Sequence, residues 1–359
     1  MCAKLATLTL FYGPQPEFRR IATVLQVFQE TNRQHAFRIP KVVAVDKIKY
    51  YFCILNLKIS LNMKSTARII LASALILLAV SCGKNSPKTE HVILIGLDGM
   101  SSADFVREEM PTVSKLMDEG CWTLAKRSVF KTSSAINWAS MFMGAGTELT
   151  GYTEWYSQVP ELPSRVVNEH GIFPTIHYLV KSQMKGSKVG AVYEWDTIHH
   201  LVDSLACDYF EQANGLPTDI TDKAIRFIKN DKPTLFTISY DHPDHEGHST
   251  GWGSRSYHKE MEFLDGEIAR ILAAIDEAGI ADNTTVIITS DHGGIGTGHG
   301  GITPAEYETP FIIAGKGIRR GGEFTESMMQ YDVAATISGL FNLKQPQVWV
   351  GRAMDQCFE

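Results

Sequence analysis

The run Val286-Ile287-Ile288-Thr289 leads directly into Ser290-Asp291-His292-Gly293-Gly294. A short, continuous apolar and β-branched run reads as a strand buried on both faces. An adjacent Asp and His between such a strand and a pair of glycines add nothing to packing. Open α/β sheets place their ligand sites at the carboxyl ends of strands, and these side chains belong in such a crevice. The same arrangement recurs. Residues 91–95 form an apolar run that ends on Gly96-Leu97-Asp98-Gly99, and 234–240 leads to Asp244-His245-Glu246-Gly247-His248. Gly298-His299-Gly300-Gly301 follows the SDHGG segment, and Thr132-Ser133-Ser134-Ala135-Ile136-Asn137 supplies three hydroxyls.

Between these clusters the pattern is helical. Met110-Pro111-Thr112 opens a helix with Pro in its first turn. Across 257–278, Met261, Leu264, Ile268, Ile271, Leu272 and Ile275 mark one helical face. Strands are expected at 91–95, 234–240, 286–289 and 310–314, and a late helix at 331–340. Asn283-Thr284-Thr285 is read as the lead-in to 286–289. Strands alternating with helices predict an α/β layer fold with a mostly parallel sheet. No internal repeat is apparent.

Hydrophobic content of 44% with 21% charged residues excludes a long disordered chain. A formal charge of −6 argues against a nucleic-acid polymer as partner. A small anionic substrate stays open, because a bound metal supplies positive charge locally. Cys2, Cys53, Cys82, Cys121, Cys207 and Cys357 form no C-x-x-C pair, which removes a zinc knuckle. Cys121, Cys207 and Cys357 are left as free thiols or as containing one bridge.

Lys64 and Arg68 precede an apolar stretch at 69–80, followed by Ser81-Cys82-Gly83. That is the order of a signal peptide, expected here at 63–81, and the stretch is too short to span a bilayer comfortably. Ala79-Val80-Ser81-Cys82 resembles a bacterial lipobox. The resemblance implies lipid on Cys82 and an exported protein anchored to the membrane of the bacterial cell envelope, in the periplasm or on the outer surface. Residues 1–62 lack sustained periodicity and precede this leader, so Met63 is expected to be the start and 1–62 an upstream extension. Residues 82–89 read as a tether, and 90–359 as the catalytic domain.

Three Asp and three His in these clusters are oxygen and nitrogen donors suited to zinc or a similar divalent ion. Their order is an Asp, a hydroxyl cluster, D-x-x-x-H, D-H and a distant His. It resembles the metal-ligand order of the alkaline phosphatase superfamily. Pro243-Asp244-His245-Glu246-Gly247-His248 resembles the PD-x-x-GH segment of its type I phosphodiesterase/nucleotide pyrophosphatase branch. Residues 310–315 and Val350-Gly351-Arg352 are similar to its later elements.

The resemblance implies an alkaline-phosphatase-like three-layer sandwich with a mostly parallel central sheet. It implies two divalent metal ions, zinc foremost: Asp244, His248 and His299 would hold one, and Asp98, Asp291 and His292 the other. The nucleophile of the branch stands three residues before an Asn, a spacing that Ser134 and Asn137 fit, with Thr132 and Ser133 as competitors. Ser134 replaces the commoner Thr, and Ala135-Ile136 replaces Phe-Pro. The implied reaction is metal-dependent hydrolysis of phosphodiester or nucleotide pyrophosphate bonds through a phosphoserine, with Asn137 donating to a phosphoryl oxygen.

His242 and His245 are expected beside or behind the ligands, and His199 and His200 at the surface. Trp138, Tyr152, Trp155 and Tyr156 are read equally as packing and as stacking partners for a small phosphate-ester substrate. A sulfatase would need a C/S-x-P-x-R segment, and Ser134-Ala135-Ile136-Asn137-Trp138 lacks both Pro and Arg. A phosphosugar mutase of this superfamily usually carries a large inserted domain, but only about 40 residues separate His248 from Asp291. A lipid-anchored binding protein with a degenerate site is disfavoured by the complete six-residue set.

Overall fold

The structure is a computed structural model that describes residues 87–359. The upstream extension, the leader, Cys82 and residues 83–86 of the tether lie outside the described residues. Among the described residues no helix is long and apolar enough to cross a membrane.

The strands are β1 (His91–Leu97), β2 (Cys121–Arg127), β3 (Val189–Tyr193), β4 (Tyr209–Gln212), β5 (Leu235–Tyr240), β6 (Thr284–Thr289), β7 (Glu308–Gly315) and β8 (Gly322–Glu323). The longer helices are α1 (Pro111–Glu119), α2 (Ser134–Met143), α3 (Ile176–Gln183), α4 (Pro217–Asp231), α5 (Asp244–Thr250), α6 (Arg255–Glu277) and α7 (Asp332–Leu340).

The strands form one sheet in the order β4-β3-β5-β1-β6-β7-β2-β8. Only β7 runs against its neighbours, β6 and β2. Strand β1 sits between β5 and β6, parallel to both. Its alternate side chains enter two different cores. Val92 and Leu94 join the cluster built by α2, α3 and α7, whereas Ile93, Ile95 and Leu97 join that of α1, α4 and α6. A strand covered on both faces has no solvent face to mark with polar residues, which is why 91–95 reads as an unbroken apolar run. The expected three-layer α/β sandwich is therefore present.

Helix α6 follows the predicted face. Met261, Leu264, Ile268, Ile271 and Ile275 are all buried, each contributing about 1.5–3 kcal/mol by area. The Ser254 hydroxyl caps its start by accepting from the Tyr257 amide (3.1 Å). Helix α1 begins after Met110, which cannot cap. Instead the buried Asp265 carboxylate accepts the Thr112 and Val113 amides (both 2.9 Å) and ties α1 to α6.

Three details differ from the sequence reading. Strand β6 begins at Thr284, because Thr284 and Thr285 already pair with His91 and Val92 in the interior. Strand β2 was not anticipated, since its buried side alternates and includes the fully buried Lys126. Strands β3, β4 and β8 were also missed.

Candidate active site and metal centre

Strands β1, β5, β6 and β2 point their carboxyl ends to one edge of the sheet, and β7 starts at that edge. Asp98 follows β1, Asp244 opens α5 after β5, Asp291 follows β6, and Ser134 opens α2 after β2. The Asp244 amide donates to the Asp98 carbonyl (2.9 Å), and the Gly99 amide donates to Asp291 Oδ1 (3.2 Å). Three ligand-bearing loops are thereby stitched together. Gly99 takes φ +70°, and a Cβ there would lie 2.8 Å from Asp244, so a side chain would part the two loops.

The three histidines share one orientation. Nδ1 of His248 faces the Thr297 carbonyl (3.0 Å), that of His292 the Gly293 carbonyl (2.8 Å), and that of His299 the Thr132 carbonyl (2.9 Å). A carbonyl only accepts, so Nδ1 carries the proton and Nε2 is left as a donor of electrons. The D-x-x-x-H spacing puts Asp244 and His248 one turn apart, with Oδ2 and Nε2 3.4 Å from each other. Nε2 of His299 lies 3.8 Å from Asp244 Oδ1. Nε2 of His292 lies 3.4 Å from Asp98 Oδ1 and 3.3 Å from Asp291 Oδ2. The rings of His292 and His299 stack at 3.8 Å.

One carboxylate oxygen on each Asp is buried without a hydrogen-bond partner: Asp98 Oδ1, Asp244 Oδ1 and Asp291 Oδ2. Orphaned anionic oxygens are costly to bury, and each of these three has an imidazole Nε2 within 3.3–3.8 Å. Burial foremost, then the charge of Asp291, raises the Asp98 and Asp244 carboxyls well above their ordinary range. Burial lifts Asp291 to about 6 and lowers His292 to about 4 and His299 to about 3. Neutral imidazoles facing carboxylates that lack a counter-charge fit a divalent cation. Ligand atoms of Asp244, His248 and His299 lie within 4.8 Å of one another, as do those of Asp98, Asp244 and His292. The first set was expected from the sequence. In the second, Asp244 stands where Asp291 was expected, and Asp291 reaches the group beside His292.

Of the three candidate hydroxyls, Ser134 is the one at this centre, with Oγ 3.0 Å from His292 Nε2. Since Nδ1 holds the ring proton, the serine donates. Thr132 faces the other way: its hydroxyl donates to the Gly301 carbonyl (2.9 Å) and accepts the Gly300 amide (3.1 Å). Ser133 is the residue that precedes α2.

Asn137 requires a correction. It is fully buried, and its Oδ1 accepts the Val129 amide (2.8 Å). Its Nδ2 donates to the carbonyls of Val129, Lys131 and Ser133 (3.2, 3.0 and 3.1 Å). Every polar atom of the amide is spent on the loop before Ser134, so none is left for a phosphoryl oxygen.

For Trp138 the structure selects packing from the two readings. It is fully buried, and its indole N–H donates to Asp98 Oδ2 (2.8 Å). Gly96 admits the ring, since a Cβ there would lie 2.2 Å from it. Tyr152 is buried and donates to the His200 carbonyl (3.3 Å). Trp155 and Tyr156 remain exposed, their rings 5.2 Å apart. The Trp155 carbonyl accepts the Ala135 amide (3.2 Å), beside Ser134. His242 faces Glu194 (3.3 Å), and His245 and His199 are exposed.

Sequence reasoning missed two supports. Buried Glu306 accepts the amides of Gly301 (2.7 Å) and Thr303 (3.0 Å) and so shapes the loop that carries His299. The Thr303-x-x-Glu306 capping-box spacing was legible. Lys126 donates to the Ser290 carbonyl (2.8 Å) and to Gln330, and burial lowers its ammonium to about 7.

With this geometry established, comparisons with known proteins become informative. The pattern of the type I phosphodiesterase / nucleotide pyrophosphatase family matches residues 92–307. Ectonucleotide pyrophosphatase/phosphodiesterase family member 1 of Homo sapiens is 24% identical over 220 residues, covering 57% of this chain and 24% of that protein. A 2,3-bisphosphoglycerate-independent phosphoglycerate mutase of Pseudomonas fluorescens (strain Pf0-1) is 28% identical over 145 residues, 38% of this chain and 26% of the mutase. The chain thus spans about a quarter of the length of these curated relatives. Among solved structures, a 2-O GAG sulfatase superposes with a TM-score of 0.62 at 13% identity, covering 74% of this chain and 73% of the other. Human ectonucleotide pyrophosphatase/phosphodiesterase 5 gives 0.60 at 14% identity, covering 74% and 98%. At such identities the structural likeness shows the fold.

Proposed function

The chain belongs to the type I phosphodiesterase / nucleotide pyrophosphatase family, and from that premise we propose that it hydrolyses phosphate esters, with phosphodiester or nucleotide pyrophosphate bonds as the substrate class. The observation that carries this reading is the convergence of three orphaned carboxylate oxygens and three Nε2 atoms beside one serine hydroxyl. In the proposal, Asp244, His248 and His299 would hold one divalent ion, and Asp98, His292 and Asp291 would hold a second, with Asp244 within reach of both groups. Zinc suits this mixed imidazole and carboxylate set. Such ions would supply charge stabilisation for the phosphoryl oxygens and make a coordinated hydroxyl more acidic.

The protein's own part follows from its geometry. Ser134 presents Oγ from the first turn of α2. Attack of Oγ on phosphorus would form a phosphoserine and break the bond to the leaving oxygen. Water would then cleave the phosphoserine and restore the hydroxyl. The Nδ1–carbonyl bonds hold each imidazole in the tautomer whose Nε2 carries no proton. Exposed Trp155, whose carbonyl accepts the Ala135 amide next to Ser134, and Tyr156 would be available to stack on the esterified group.

The test is a panel of p-nitrophenyl esters (phosphate, phenylphosphonate, thymidine monophosphate and sulfate), run with metal analysis. Diester turnover that is abolished by chelation and restored by zinc supports the reading. Full turnover in metal-free protein, or sulfate as the preferred ester, refutes it. Export and lipid attachment at Cys82 are likewise proposed, from residues 63–82 alone. Cys82→Ala should free the protein from the membrane fraction, and unchanged retention with an intact N-terminus would overturn the anchor.

A further inference from the structure

Cys121, Cys207 and Cys357 are thiols in this structure, but two of them meet. Cys121 opens β2 and is fully buried. Its Sγ donates to the Arg319 carbonyl (3.4 Å). An antiparallel bridge between Ile318 and Phe358 lays residues 357–359 along 317–319. The Arg319 amide donates to the Cys357 carbonyl (3.0 Å), and the Glu359 amide to the Gly317 carbonyl (3.0 Å). Cys357, also fully buried, therefore lies beside Arg319, so both cysteines flank that residue inside the same apolar cluster. Gly321 closes the pocket, since a Cβ there would lie 2.6 Å from Cys121 Sγ.

We propose that Cys121 and Cys357 form a disulfide when the chain folds in an oxidising medium, fastening the segment around 350–359 to the edge of the sheet. The segment has work to secure. The Val350 and Gly351 amides both donate to the Gly144 carbonyl (3.0 Å each), at the end of α2, and the Arg352 amide donates to Asp332 Oδ1 (2.9 Å). The bridge would hold the end of the helix whose first residue is Ser134.

The chemistry balances with a disulfide oxidant such as glutathione disulfide. The sulfur of one cysteine attacks the oxidant and releases one glutathione thiol. The sulfur of the other then displaces the second glutathione, which leaves as a thiol. Two protons and two electrons pass from the protein to the oxidant. Side by side the two thiols part in acidity, with Cys121 lowered to about 6 by Cys357 and Cys357 raised by Cys121. Cys207 serves as an internal control. Burial raises its thiol, and its Sγ faces the Asp203 carbonyl (3.5 Å).

The experiment is refolding of the purified, reduced full chain in a mixture of glutathione and glutathione disulfide. The soluble protein is then alkylated and digested with trypsin without reductant. The expected product links peptide 116–126 to peptide 353–359, with Cys207 alkylated. Reductant should then lower Tm by about 10 °C in the wild type and leave Cys357→Ala unmoved. Recovery of both peptides as separately alkylated thiols, or a Cys121–Cys207 link, overturns the proposal. Because the peptide mapping uses wild-type protein, it decides the question even where the Cys357→Ala variant fails to fold.

Discussion

The indole N–H of Trp138 donates a 2.8 Å hydrogen bond to Oδ2 of Asp98 and leaves Oδ1 to face His292. The ring is fully buried, so no water replaces that donor. Trp138→Phe keeps the stacking neighbour Phe142 and removes only the bond. We expect divalent-metal affinity to fall roughly tenfold to a hundredfold, the usual effect of losing a ligand's outer partner. Competition titration with a zinc chelator measures it, and unchanged affinity would show that Asp98 is held by packing alone.

Ser134→Ala removes the hydroxyl beside His292 Nε2. Turnover should drop roughly a thousandfold or more with zinc content retained, whereas Ser133→Ala should stay near normal. Asn137→Ala is a different kind of lesion. It orphans backbone groups of residues 129–133, and its first effect should be a stability loss of about 2–4 kcal/mol. Urea unfolding separates the two. A stable Asn137→Ala protein with no turnover would return Asn137 to the chemistry.

Thr132 engages the His299 loop through both its carbonyl and its hydroxyl. Thr132→Val keeps the carbonyl and loses two bonds, so metal affinity should weaken by roughly tenfold while turnover at saturating zinc persists. Thr132→Ser should restore the affinity. If Thr132→Val binds zinc normally and is inactive, Thr132 and not Ser134 is the nucleophile.

His177 supplies a pH signature away from the candidate metal-binding residues. It is fully buried, bonded through Nε2 to Thr237 (2.9 Å), and burial lowers it to about 3. The unfolded chain takes up a proton near the ordinary histidine value, while the native state refuses one until about 3. Stability therefore falls as pH drops from about 6.5 towards 3, by about 1.4 kcal/mol per pH unit for this one group. His177→Gln should show a shallower decline between pH 6 and 4 in urea titrations. An identical slope would mean that His177 is protonated in the native protein.

Complete burial made several elements legible in the sequence, though not β3, which is buried throughout but is interrupted by Gly190. Strands β1, β5 and β6 are covered on both faces, and α6 shows one apolar face. The candidate metal-binding residues were legible because an Asp or His directly after a buried strand does little for packing. The missed parts have equally physical reasons. Strand β2 hides a lysine whose neutralising surroundings, Asp291 and Asp332, come from distant segments. Asn137 had the right spacing, but spacing fixes a position on α2 and not the direction in which an amide spends its hydrogen bonds. The reversal of β7 leaves no mark in residues 310–314, because an apolar run reads alike in both directions.

That reversal has a consequence for how the protein tolerates change. Because β7 returns antiparallel to β6, the chain leaves and re-enters the sheet at the same edge. The neck is closed by the Gly293 amide on the Glu306 carbonyl (2.8 Å). What lies between carries His299 and the exposed Ile295 and Ile302, and its length is not dictated by any strand. An insertion at Ile302 would leave both strands untouched and would be limited instead by the Glu306 and Thr132 bonds that hold residues 300–303.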